Sequence, residues 1–210
     1  MARLVFLGCV LAVLLTLSTA EELRAIVRLT ATSVNSEVKG NITFVQNRDG
    51  GEVRIMGNVT GLDNGKKGFH IHEKGDIGEE CVAAGGHFNP ENKLHGAPDA
   101  IVRHVGDLGN IESKDKLATI NFTDSVISLT GPHSILGRAL VVHEKEDDLG
   151  LKDTNDSRKT GDAGRRVACG VVGIQSPLDA WEKSAASSFA KTSTMALAAV
   201  AVAMLKQLTM

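Results

Sequence analysis

The chain has 210 residues, 42% of them hydrophobic, with a formal charge of −2, only 3% aromatic residues and no tyrosine. A balance this close to neutral gives no ground for nucleic-acid binding, which draws on clustered Lys and Arg, and there is no polybasic tail to hold acidic glycans. Between its two ends lies one domain of about 155 residues, enough for a core of its own.

The first twenty residues, MARLVFLGCVLAVLLTLSTA, carry one positive charge at Arg3, an apolar centre and a Ser-x-Ala ending at Ala20. That is the pattern of a secretory signal peptide cleaved before Glu21, with a retained anchor as the alternative. Cleavage takes the charge to −3 and removes Cys9, leaving Cys81 and Cys169 in an oxidising compartment. Two cysteines there make one intramolecular disulfide by default.

From Glu21 the pattern is strand-like. In LRAIVRLT, Ala25, Val27 and Leu29 share one face against Arg24, Arg28 and Thr30. GNITFV and EVRIMGNV follow, separated by the turn QNRDGG, and LATINF sets Ala118, Ile120 and Phe122 opposite Thr119 and Asn121. SVISLT and ALVVHE are two further β-branched runs. Short strands, Gly/Asp/Asn turns and no long 3.6-period segment predict an all-β domain, while periodicity alone leaves sandwich and barrel both open. Residues 75–102 and 147–166 lack strand periodicity and read as two long loops.

The stretch 68–107 holds five of the seven histidines: His70, His72, His87, His95 and His104, with Asp107 three residues after the last. His70 and His72 on an extended segment share a face, because strand side chains alternate. The other three and Asp107 sit among Gly, Pro, Asn and Asp, in what reads as an irregular loop folded over that face. His143 arrives in ALVVHE, and His133 reads as a surface residue. Neutral imidazoles suit copper and zinc, a carboxylate beside three histidines is a normal zinc set, and calcium or magnesium would want mostly oxygen. The pattern predicts one or two transition-metal ions without saying which sits where.

Sequons at Asn41, Asn58, Asn121 and Asn155 are candidate glycan acceptors in a secreted chain. At the far end, SAASS, a polar spacer and the apolar MALAAVAVAML resemble a lipid-anchor signal with Ser184 or a neighbour as acceptor, the terminal KQLTM being atypical of one. A retained apolar tail and a short membrane span are the alternatives.

GFHIHEKGD, GGHFNP, RHVGDLGN, SVISLTGPHSILGRALVVHEKEDDLG and KTGDAGRRVACGVVGI, in order and in spacing, resemble the copper,zinc superoxide dismutase family. The likeness runs from about residue 23 to 175, so the chain divides into a signal peptide (1–20), a dismutase domain (21–175) and a C-terminal extension (176–210). It implies an eight-stranded Greek-key β-barrel, similar to an immunoglobulin-like sandwich, whose two long loops build the site. It implies copper at His70, His72, His87 and His143, and zinc at His87, His95, His104 and Asp107, one of each ion per subunit, with His87 bridging. It implies that Asp147 orients a copper histidine and a zinc histidine together, that Arg166 beside the copper orients the anion, and that Lys159 and Thr160 line the channel. Asn155 and Asp156 stand where the family has paired acidic residues. The Cys81–Cys169 pairing is implied as well, as is a homodimer through residues 135–137 and 173–174. The implied activity is dismutation of superoxide outside the cell. Three other readings are a copper-delivery protein, for which the extra cysteine pairs are lacking, a copper-only dismutase and a non-catalytic scaffold.

Overall fold

The computed structural model describes residues 21–33, 36–175, 178, 179 and 181. The signal-peptide reading of 1–20 and the lipid-anchor reading around Ser184 lie outside the described residues. Among the described residues no helix is long and apolar enough to cross a membrane.

Among the described residues nine strands run in chain order: β1 (Glu22–Ala31), β2 (Lys39–Asn47), β3 (Val53–Thr60), β4 (Gly65–Ile71), β5 (Asp107–Ser113), β6 (Leu117–Asp124), β7 (Ala139–His143), β8 (Arg166–Val171) and the two-residue β9 (Gly173–Ile174). Hydrogen bonding links them antiparallel in the order β5-β4-β7-β8-β1-β2-β3-β6, with β9 pairing on β1. The two ends of that path meet at the tight turn between β5 and β6, where Lys114 and Leu117 bridge, so the sheet curls into a nearly closed eight-stranded barrel. Closing the sheet removes the exposed edges an open sheet would leave. A short connection from β3 to β4 and a longer one from β6 to β7, each passing over two strands, make the order a Greek key.

Alternation fills the barrel as the sequence predicts. Leu23, Ala25, Val27 and Leu29 of β1 point inward beside Ile42 and Phe44 of β2 and Val53, Ile55 and Val59 of β3. Phe69 meets Phe122 edge-on, their ring centroids 6.5 Å apart. Burying aliphatic side chains of this size contributes about 1.5–3 kcal/mol each.

Two expectations fail. SVISLT forms no strand: Asp124 and Gln46 accept the backbone N–H groups of Ile127 and Leu129, and the two buried side chains plug the barrel without a neighbouring strand. β-branched residues here mark a buried segment whose backbone is satisfied by side chains. Asp107 is not in a loop but begins β5. His133 does lie at the surface, partly covered, donating Nδ1–H to the Val126 carbonyl and lying 2.8 Å from Glu91 through Nε2.

Candidate metal centre

β4 carries the first half of the centre. Phe69 and Ile71 point into the core, so His70 on the same strand and His72 just beyond it face outward under the long loops. Residues 86–88 then lie along the end of β4, with Glu73 N–H donating to the Gly86 carbonyl and Phe88 N–H to the Ile71 carbonyl. That short pairing sets His87 opposite His72. β7 delivers His143 at a bulge, where its register against β8 slips between Val142 and His143. A bulge re-aims a side chain, and here it turns His143 toward His72, Nε2 to Nε2 at 3.3 Å. A second slip between β4 and β5 leaves Asp107 opposite His70.

Two groups of four buried side chains result, His70, His72, His87 and His143, and His87, His95, His104 and Asp107. In each, one donor atom per residue lies within 4.8 Å of the others.

The hydrogen bonds fix which ring nitrogen is free. His72 and His143 donate Nδ1–H to the carbonyls of Gly85 and Gly164, so their Nε2 lone pairs face each other, an arrangement only a cation between them makes favourable. His70 donates Nε2–H to Asp147 at 2.8 Å, leaving Nδ1 buried and unpartnered. Nε2 of His87 is unpartnered too, aimed at this first group, while its Nδ1 lies 2.8 Å from Asp107 Oδ1 in the second. That same oxygen is 3.0 Å from Nδ1 of His95 and 3.1 Å from Nδ1 of His104. Asp107 Oδ2 is held from behind by the N–H groups of Gly96 and His104.

Charge divides the two groups. Burial first, then neighbouring histidines, lowers His87 and His143 to about 3 and pushes His72 well down. Burial also lowers His70 to about 4, against the pull of Asp147. All four rings are therefore neutral, as metal ligands must be. Burial works against the charged form of His95 as well, but its bonds to Asp107 and Asp147 prevail and raise it to about 9. Both carboxyl groups resist burial and stay far below the usual carboxylate range through their histidine hydrogen bonds.

Asp147 ties the groups together, accepting from His70 through one oxygen and from His95 through the other, each at 2.8 Å. Asn110 clamps it in turn, donating to its carbonyl and accepting its N–H, both at 2.8 Å. Sequence reasoning passed over Asn110 and also Gly161. At Gly161 φ is +67° and a Cβ would lie 1.8 Å from Asp147 Oδ1 and 2.6 Å from His95 Nε2. The legible signal was only a glycine behind a polar run, the mark of a helix end. That helix, α1 (Asn155–Thr160), is one the sequence did not suggest: Thr154 caps it by accepting Ser157 N–H, and Ser157 is buried against Asp148. Lys159 and Thr160 close α1 on its exposed side, and Asn155 opens it, also exposed.

Arg166 begins β8 half-buried and donates to the carbonyls of Cys81, Val82 and Gly85. Cys81 is disulfide-bonded to Cys169, so the bond on β8 pins the very turn that Arg166 grips. The Gly85 carbonyl also receives His72 Nδ1–H, which couples disulfide, arginine and histidine through one oxygen.

The sequence comparisons agree with this architecture. A family model described as copper/zinc superoxide dismutase (SODC) matches residues 38–172. The chain is 54% identical over 144 residues to an extracellular Cu-Zn superoxide dismutase of Drosophila melanogaster, across 68% of this chain and 80% of that one. It is 49% identical over 160 residues to its extracellular counterpart in Caenorhabditis elegans, across 74% and 72%. It also resembles the crystal structure of the clock protein EA4, with a TM-score of 0.67, 54% identity and coverage of 72% of this chain and 94% of that one. With two four-residue donor sets whose free nitrogens converge, and a family model spanning most of its length, this chain belongs to the copper/zinc superoxide dismutase family.

Proposed function

We propose that this superoxide dismutase, which converts two superoxide anions and two protons to dioxygen and hydrogen peroxide, holds copper at His70, His72, His87 and His143. Zinc is held at His87, His95, His104 and Asp107, one ion of each kind per subunit. The observation that carries the assignment is the sharing of His87, with Nδ1 toward the carboxylate-bearing set and Nε2 toward the all-histidine set. An all-imidazole group suits copper, and three histidines with a carboxylate suit zinc.

Bound copper supplies one-electron redox chemistry, whereas zinc keeps one valence and contributes charge and structure. Around them the chain's residues attract, orient and protonate. The Arg166 guanidinium, fixed by three carbonyls, is the cation that orients superoxide. Lys159 and Thr160 line its approach, and focused positive potential in such a cleft raises association rates by roughly 10- to 1,000-fold. Asn155 and Asp156 give that rim one carboxylate. His87 Nε2, unpartnered among the described residues, would carry a proton to the product whenever copper is not on it. Asp147 fixes the rings of His70 and His95 so that each presents Nδ1 inward.

The enzyme works outside the cell, as the extracellular relatives support. In our reading the dismutase domain is 21–175, following a cleaved signal peptide, and 176–210 is an extension that tethers the protein to a membrane. Two copies pair through residues 135–137 and 173–174, where half-exposed Ile174 offers an apolar contact. Glycans are carried at the exposed Asn41, Asn58, Asn121 and Asn155.

The test compares metal content and superoxide-decay rate of the mature chain with those of His143→Ala. The native chain should hold one copper and one zinc and be active, and the variant should lose copper and activity while keeping zinc. Full loading without activity, or copper retained in the variant, refutes the assignment.

A further inference from the structure

We propose that the surface above the zinc-side loop docks on the outer face of a lipid bilayer through four protruding aliphatic side chains. Ile101 is 93% exposed, Leu151 82%, Leu94 56% and Val102 53%. They come from three segments that the site itself draws together. A Cβ at Gly96 would lie 2.2 Å from the Val102 carbonyl, and one at Gly150 would lie 2.6 Å from the His95 carbonyl. Leu94 thus neighbours the segment of Leu151 on one side and that of Ile101 and Val102 on the other. The backbone beneath is rigid, since His95 N–H donates to the Arg158 carbonyl and buried Arg103 donates to the carbonyls of Pro98 and His104. Aliphatic groups clustered on a soluble surface mark a contact site.

Shape and charge select the occupant. Side chains exposed this far stand proud of the surface instead of lining a groove, which suits a fluid acyl layer better than a peptide. The flanking cations Lys93, Lys152 and Arg158 are each paired, with Glu91, with Asp148 and Asp162, and with Asp153. A rim of ion pairs with little net charge complements zwitterionic headgroups, whereas the anionic lipids that attract polybasic segments line the cytoplasmic leaflet. The chain beyond Trp181 points the same way, because thirteen residues separate it from the apolar run MALAAVAVAML at 195–205. Thirteen residues reach at most about 45 Å. A retained tail inserted in a bilayer would therefore hold Trp181 within about 45 Å of the membrane. Since Leu151 lies just before α1, docking would bring Lys159 and Thr160 to the headgroup layer. The proposal rests on the extracellular reading, and the patch is distinct from the tail.

The test uses the full mature chain with its one tryptophan moved, Trp181→Phe with Ile101→Trp, and phosphatidylcholine vesicles with brominated acyl chains. Emission from position 101 should fall by about half relative to unbrominated vesicles, because the side chain enters the acyl boundary. The control Trp181→Phe with Thr119→Trp, on the outer face of β6, should not be quenched. In the unmodified protein, vesicles should slow backbone hydrogen exchange at 94–102 and 149–153, a readout that needs no variant. Vesicle binding without quenching at 101 overturns the patch and leaves the tail as tether. No binding at all overturns both, while dismutase activity stays intact. Self-association lost on Ile101→Asp, with no quenching, assigns the face to a second copy and overturns the lipid reading.

Discussion

The two halves of the metal centre share His87 and are equally buried, yet they are built on opposite electrostatic principles. The all-histidine half is neutral: His87 and His143 sit at about 3 and His70 at about 4, so nothing there is charged at neutral pH. The other half is pre-charged, with Asp107 ionised and His95 raised to about 9 between two carboxylates. Neutral imidazoles with converging lone pairs leave an ion free to change its own charge. A fixed carboxylate favours an ion that never does. The same barrel supplies both environments because β4 contributes only rings, whereas β5 begins with an aspartate.

Asp107→Ala should break the contrast most severely. It removes the one oxygen facing Nδ1 of His87, His95 and His104, so zinc should be lost while copper stays. Structural zinc contributes on the order of 10 kcal/mol to folding, and calorimetry should show the melting point of the metal-loaded protein falling by more than about 10 °C.

Replacing both Cys81 and Cys169 by serine should weaken the neutral half more than the charged one, because the turn they pin holds His72 and Arg166 through the Gly85 carbonyl. Closing a loop of 88 residues contributes about 4.6 kcal/mol on the chain-entropy model. Denaturant unfolding checks the loss, and metal analysis should show copper affinity falling more than zinc affinity.

Acid should separate the halves in metal-free protein. His70, His87 and His143 have folded pKa values below the ordinary 6.5, so the unfolded chain takes up their protons first. Stability is unaffected by them above about pH 6.5 and falls as pH drops toward 4, by about 1 kcal/mol per ring per pH unit. His95 has the opposite sign: its contribution is full below 6.5 and is lost as pH rises through about 9. Asp107 and Asp147 contribute above their ordinary 3.8 and lose that contribution on acidification below it. Urea midpoints for metal-free protein should therefore decline on both sides of neutrality, and a midpoint independent of pH between 4 and 6.5 would overturn this account.

Asp147→Asn tests the link. An amide cannot accept from both rings as a carboxylate does, and losing such an orienting group lowers metal affinity by about 10- to 100-fold. Competition with a chelator should show both metals weakened, unlike Asp107→Ala.

Arg166→Gln should have the smallest reach, leaving both metals bound and cutting kcat/KM for superoxide by about tenfold or more. The salt dependence of the rate should flatten with it.

Much of this centre was legible in the chain. His70 and His72 share a face because strands alternate, and GGHFNP with RHVGD places His87, His104 and Asp107 at spacings one family uses. Asn110 and Gly161 were not legible, since a clamp on Asp147 and a space beside His95 exist only where β5, the loop after β7 and α1 meet. SVISLT misled because β-branched content reports burial, and its backbone partners, Asp124 and Gln46, come from other strands.

The sequence by itself determined the all-β class, the inward face of each early strand, the residues able to bind metal and the single cysteine pair within residues 21–175. These follow from period-two alternation and from side-chain chemistry, which are local properties. Only the tertiary structure decided which nitrogen of each ring stays free, which half of the centre carries charge, and that the segments carrying Leu94, Val102 and Leu151 lie beside one another. Those depend on hydrogen bonds, burial and contacts between segments far apart in the chain, and they exist only once the barrel has closed.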